Sequence, residues 1–153
     1  MTFRRNFFAT CVAIVLSMST AAAQGVKAVN AWARATAPGQ TNASVYLDLT
    51  SDSNAAVVGV GSPAAGHAAL HSMTMSDGVM RMRALARIDL PAGKTVNLSQ
   101  NGVHVMLVDL KKPLKQGDKL PLVLSIQSSG MSLTTLNIEA EVRGMDGSPS
   151  HQH

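Results

Sequence analysis

Cysteine is nearly absent. Of 153 residues only Cys11 carries a thiol, aromatic residues make up 3% and charged residues 14%. A single cysteine cannot close an internal disulfide, so no disulfide framework holds this chain. Low charge does not signal disorder here, because apolar residues reach 46%, enough for a core at this length. The apolar run Phe7 to Met18 is too short to span a bilayer, where roughly 20 residues are needed. It follows a basic head, Met1-Thr2-Phe3-Arg4-Arg5-Asn6, and precedes the small residues Ser19 to Ala23. That order reads as an export signal, residues 1–23, cut after Ala21-Ala22-Ala23. Cys11 lies inside the signal with apolar residues continuing past it. It is a poor site for lipid attachment, and the mature chain has no thiol. Losing Arg4 and Arg5 takes the formal net charge from +4 to +2. Such a charge argues for neither nucleic acid nor an anionic membrane as partner, and no membrane insertion is expected after cleavage.

Beyond residue 24 no helix is clearly written. Short apolar stretches alternate with turn signals, the pattern of an all-β domain. Candidate strands are Val26 to Thr36, Ser44 to Thr50, Ala56 to Val60, Ala68 to Met75, Val79 to Leu85, Thr95 to Leu98, Val103 to Leu110, Leu120 to Ile126 and Leu133 to Val142. Pro38-Gly39, the loop Gly61 to Gly66, Asp77-Gly78, Pro91-Ala92-Gly93, Asn101-Gly102, Gly117-Asp118 and Ser128-Ser129-Gly130 punctuate them. Eight or nine strands at roughly 10-residue spacing predict a Greek-key sandwich, with a small closed barrel as the alternative. Residues 144–153 have no apolar period and read as a flexible tail.

Methionine, by contrast, is plentiful, with nine copies. Four of them fall in the segment His71-Ser72-Met73-Thr74-Met75-Ser76-Asp77-Gly78-Val79-Met80-Arg81-Met82. Side chains two apart on a strand share a face, so His71, Met73 and Met75 form one row and Met80 and Met82 another. Asp77-Gly78 is a strong hairpin signal. A two-residue loop would set Met75 opposite Met80, Met73 opposite Met82 and His71 opposite Ala84. A three-residue loop with a bulge at the glycine would send Met82 to the other face from His71. The local sequence leaves both registers open. His104 and Met106 share a face of a further strand, about 7 Å apart.

Taken singly, each methionine reads more readily as adaptable core filler than as a ligand. Arg81 and Arg83 suit a solvated face. Taken together in an exported protein, where sulfoxide formation is a standing hazard, these residues suggest a metal site. Thioether is a soft, neutral donor that favours Cu(I). Zinc prefers thiolate, imidazole and carboxylate, and calcium and magnesium want oxygen. A blue-copper centre needs a cysteine thiolate, which the mature chain lacks. Two imidazoles and two thioethers around Cu(I) leave a net charge of +1, tolerable at a partly buried site.

The spacing His71, ten residues, Met82, twenty-one residues, His104-x-Met106 resembles the signature of the periplasmic copper chaperones called PCu(A)C. Neighbouring words resemble the family too: Ala31-Trp32-Ala33-Arg34-Ala35-Thr36, Gly78-Val79-Met80-Arg81-Met82-Arg83, Leu90-Pro91-Ala92-Gly93 and Leu110-Lys111-Lys112-Pro113-Leu114-Lys115-Gln116-Gly117-Asp118. The resemblance runs from about Val26 to Val142. It implies a cupredoxin-like β-sandwich over residues 24–143 that binds Cu(I) through His71, Met82, His104 and Met106, with Met73 as an auxiliary thioether. It implies copper delivery in the periplasm, toward the copper centres of cytochrome c oxidase, to an acceptor or a thiol-bearing copper chaperone. Ser72 stands where the family often has glutamate. Met73, Met75 and Met80 could form an apolar docking rim, and His67 could support the site. In the tail, His151 and His153, with Met145 nearby, could take Cu(II). A monomer is expected.

Other functions compete. A periplasmic copper buffer would need the same ligands. An enzyme finds little support: there is no G-x-S-x-G elbow, no cysteine nucleophile and no carboxylate pair near the histidines. Gly93-Lys94-Thr95 lacks the glycine five positions earlier that a phosphate loop requires. A structural sandwich whose methionines merely pack is the third possibility.

Overall fold

The structure, a computed structural model, describes residues 21–23 and 25–147. The rest of the expected export signal, and His151 and His153, lie outside the described residues. Eleven strands and no helix make up the described chain: β1 (Ala21–Ala23), β2 (Val26–Arg34), β3 (Asn42–Ser51), β4 (Ala55–Gly61), β5 (Ala65–Ser76), β6 (Val79–Leu85), β7 (Ile88–Leu90), β8 (Thr95–Leu98), β9 (Val103–Leu110), β10 (Lys119–Ser128) and β11 (Leu133–Arg143). No helix among the described residues is long and apolar enough to cross a membrane.

The hydrogen-bonded path runs β6-β5-β9-β3-β2-β11-β10-β4-β7, with β1 beside β2 and β8 beside β3. The path is open, with β6 and β7 at its ends, so the closed barrel is excluded. It folds over on itself: β4 and β5, consecutive in the chain and far apart on the path, are in contact. The result is the expected all-β, cupredoxin-like Greek-key sandwich. All pairings between the strands are antiparallel except β2 with β11, where Trp32 faces Glu141 and Ala33 faces Val142, and one isolated bridge, Ser51 with Ala92, is also parallel.

Period-two alternation positions the core. On β3, Val45, Leu47 and Leu49 are buried while Ser44, Tyr46 and Asp48 turn outward. On β10, Leu120, Leu122, Leu124 and Ile126 point inward, and on β11 Leu136, Ile138, Ala140 and Val142 do the same. Leu70 of β5 and Val105 and Leu107 of β9 complete the apolar filling. Strand β2 bulges between Val29 and Trp32, where Asn30 takes a φ of 54°, and this restores the inward direction of Ala33.

Strand β7 was not expected. Its three residues between Arg87 and Pro91 are too few to show a period, but Ile88 and Leu90 are buried and pair with Val57 and Ala55. Ala21–Ala23, expected to end the export signal, pair with Val26–Ala28. Cleavage before Gln24 would remove that strand and leave the β2–β3 pairing in place. Residues 144–147, expected in the tail, form a turn in which the Gly147 N–H donates to the Gly144 carbonyl at 2.8 Å. Gly147 lies against Trp32, whose ring would be 3.6 Å from an added Cβ.

Leu124, on a strand that pairs with neither β5 nor β6, is fully buried. Leu124→Ala should lower stability by roughly 2–5 kcal/mol in urea unfolding, whereas Met80→Ala, on an exposed strand, should cost less than about 1 kcal/mol. Equal costs would contradict this placement of the core.

Candidate metal centre

The hairpin register is settled by its loop. Ser76 faces Val79, Met75 faces Met80, Met73 faces Met82 and His71 faces Ala84. Asp77 and Gly78 have φ of 51° and 75°, the left-handed pair of a type I′ turn, whose twist matches the flanking strands. The two-residue loop is therefore the observed one, and Met82 shares a face with His71. The Nδ1 of His71 lies 3.1 Å from the sulfur of Met82.

The second half of the site arrives by pairing remote in sequence. Strand β9 lies beside β5, and His104 is the direct partner of His71. The two rings stand edge to face with centroids 6.1 Å apart. Met106 faces Ala69 on β5 and Ser44 on β3. Directly paired residues point to the same side of a sheet. His71, Met73, Met82, His104 and Met106 therefore share one face, the face away from Leu70 and Val105. Ser72, paired with Val103, points to the other side, as expected.

His104 is the fixed member. It is only 3% exposed, and its Nδ1 lies 3.2 Å from the Gly102 carbonyl. With Nδ1 donating to that carbonyl, Nε2 is left as the lone-pair nitrogen. The Tyr46 ring is 6.4 Å from His104, Trp32 packs 4.8 Å from Tyr46, and the Arg143 guanidinium lies 4.8 Å over Trp32. This row braces the imidazole from the side opposite His71. The sulfur of Met106 accepts a hydrogen bond from the Ser44 hydroxyl at 3.6 Å, so it sits on the β3 side. The small Ala69 across from it leaves room for it to turn toward the histidines.

His67 lies within β5, not in a loop, and is exposed on the same face as His71. The His71 imidazole is held below the usual histidine pKa by partial burial first, then by the charges of His104 and His67. Sequence reasoning missed Ser44, Tyr46 and Trp32 as neighbours. Their alternation on β2 and β3 was readable, but the strand order that sets them beside β9 was not. Among the described residues no three His, Cys, Asp or Glu side chains gather to hold a metal; the side chains that share the face of the two imidazoles include the thioethers of Met73, Met82 and Met106.

A depressed His71 pKa keeps the neutral, lone-pair form available to lower pH. The sign is that protonating His71 costs more in the folded than in the unfolded chain, so its contribution to stability fades as pH falls through the lowered value. In proton NMR of the metal-free protein, His71 should titrate with a midpoint below about 6.5, and His104→Gln should move that midpoint upward. A midpoint at or above that value would contradict this geometry.

The chain matches the LpqE-like family profile over residues 26–138. A curated relative, "Putative lipoprotein Lxx21020" of Leifsonia xyli subsp. xyli (strain CTCB07), is 35% identical over 111 residues, 72% of this chain and 67% of the relative. Among solved structures, the copper-bound PCuAC domain from PmoF2 superposes with a TM-score of 0.65 at 25% identity, over 83% of this chain and 99% of that one. Apo-DR1885 from Deinococcus radiodurans gives 0.59 at 29% identity, over 94% and 95%. The Cu(I) form of DR1885 gives 0.52 at 31% identity, over 74% and 75%. With its profile match spanning most of the sandwich and its fold shared with PCuAC domains, this chain belongs to the LpqE-like family, a relative of the PCuAC proteins.

Proposed function

We propose that this protein is an exported Cu(I) chaperone. It holds one cuprous ion between His71, Met82, His104 and Met106 and passes it to an acceptor by ligand exchange. The observation that carries the reading is the convergence of His71, its cross-strand partner His104 and the Met82 sulfur 3.1 Å from His71 Nδ1. Two donors at tetrahedral positions on a d10 ion, with bonds of about 2.0 and 2.3 Å to nitrogen and sulfur, lie roughly 3.5 Å apart. The His71–Met82 spacing therefore needs only a small adjustment. Among the described residues no carboxylate or thiolate joins the two histidines in a metal-holding group, which favours a soft monocation over zinc, calcium or magnesium. The copper-bound relatives support the same choice.

The exposure gradient suggests how cargo leaves. His104 is buried and braced, whereas Met82 is 47% exposed on an edge strand. An acceptor thiolate is a stronger donor to Cu(I) than a thioether and can reach the ion from the Met82 side. Met82 is then the first ligand displaced, and the ion stays cuprous throughout. His71 follows, and His104 with Met106 releases last. The site works by binding and transfer, with no bond in a substrate made or broken.

The export signal and the family likeness support a periplasmic location. They also support an acceptor in the assembly of the copper centres of cytochrome c oxidase, either an oxidase subunit or a thiol-bearing copper chaperone. Residues 24–143 would form the copper-binding unit, acting as a monomer. Beyond it, His151 and His153 add imidazoles suited to Cu(II).

Anaerobic competition with a chromogenic Cu(I) chelator should give one tightly held equivalent in the wild-type chain. His104→Ala or Met106→Leu should weaken it by on the order of 100-fold or more, and Met82→Leu by roughly 10-fold, since loss of even indirect support costs 10–100-fold at metal sites. Transfer to a dithiol peptide should then follow. Tight binding without transfer would mark a buffer, and unchanged affinity in the His104 variant would overturn the reading.

A further inference from the structure

We infer that the tip of the β5–β6 hairpin carries a second Cu(I) site, made only of thioethers: Met75 and Met80, with Met73 as the third donor. These residues are not core filler. Met75 is 70% exposed and Met80 45% exposed. The hairpin projects past the sandwich, and every residue of β6 before Leu85 is exposed. Beneath the tip the other face carries Thr74, Arg81 and Arg83, all exposed, so there is no apolar layer for the methionines to fill.

Their spacing suits a shared ion. In a two-residue hairpin Ser76 and Val79 form the hydrogen-bonded pair, and the alternation makes Met75–Met80 and Met73–Met82 non-hydrogen-bonded pairs. Such pairs bring side chains closest, with Cα atoms about 4.5 Å apart. Each methionine has three rotatable bonds, enough for the sulfurs of Met75, Met80 and Met73 to meet over the outer face. Arg81 and Arg83 project to the opposite face, so neither guanidinium opposes a cation there. Oxidation makes exposed thioethers costly to keep outside the cytoplasm, and softness toward Cu(I) is the property they offer that leucine does not.

Three neutral thioethers bind more weakly than a mixed imidazole and thioether set, so the tip would be a labile station. Met82 joins the two sites, facing Met73 across the hairpin and touching His71. Successive pairs on this face of the hairpin are about 7 Å apart, a row of steps from the tip to the histidines. The role as an entry and exit point rests on the chaperone reading, whereas the binding itself does not.

The test uses the exported form of the chain with 13C-labelled methionine methyls and Ag(I), a soft, redox-inert monocation. The first equivalent should shift the Met82 and Met106 methyls. The second should shift Met75, Met80 and Met73 together. Met75→Leu with Met80→Leu preserves the apolar rim and removes only the sulfurs. It should weaken uptake of the second equivalent at least tenfold and leave the first unchanged. Methyls of Met75 and Met80 that stay still up to three equivalents, or a second equivalent unaffected in the double variant, would overturn the inference. A first equivalent indifferent to His104→Ala would instead count against the chaperone reading alone, because the tip methyls report independently.

Discussion

The pairing of β5 with β9 in the register that sets His71 opposite His104 is the constraint on which the site depends. A slip of one residue would turn His71 toward the core and Leu70 toward solvent. The core prevents it: Leu70 and Val105 are partners on the inner face, and both are buried. At the far end the Met73 N–H donates to the Gly102 carbonyl at 3.0 Å, and the Ser99 N–H to that of Val103 at 2.9 Å. The apolar side of the sheet thus fixes the register that assembles polar donors on its other side. The type I′ turn then does locally what the core does at long range, bringing Met82 to the same face.

From that arrangement follows a gradient of mobility. His104 is buried, anchored to a carbonyl and flanked by Tyr46 and Trp32. His71 is half-buried, Met82 is exposed at the sheet edge, and Met75 and Met80 stand in solvent at the hairpin tip. A rigid inner ligand favours retention, and adaptable outer thioethers favour exchange. Both are needed in a protein that must keep an ion and still give it up. The basic side chains of the hairpin, Arg81 and Arg83, fall on the face opposite His71 and Met82, and the Arg143 guanidinium on the near side is stacked over Trp32.

Local features of this design were legible in the sequence. The strands that became β3, β10 and β11 were readable as apolar stretches between turn signals, and the row His71, Met73, Met75 announced a shared face. Asp77-Gly78 marked the turn, but its loop length was open between two registers, because either satisfies the local backbone. Pairings distant in the chain were not legible: β9 beside β5, the parallel contact of β2 with β11, and so the Tyr46 and Trp32 brace behind His104. Those depend on how the whole core closes. Strand β7 escaped because three residues carry no period. The resemblance to the PCu(A)C signature supplied the joining of His71 with His104 that period-two reasoning alone could not.

The most direct measurement is copper K-edge X-ray absorption of the protein loaded anaerobically with one equivalent of Cu(I). The account predicts a mixed shell of two imidazole nitrogens and two thioether sulfurs, with the sulfur scattering reduced in Met82→Leu and in Met106→Leu. A shell of nitrogen and oxygen alone, or one unchanged by both substitutions, would contradict it.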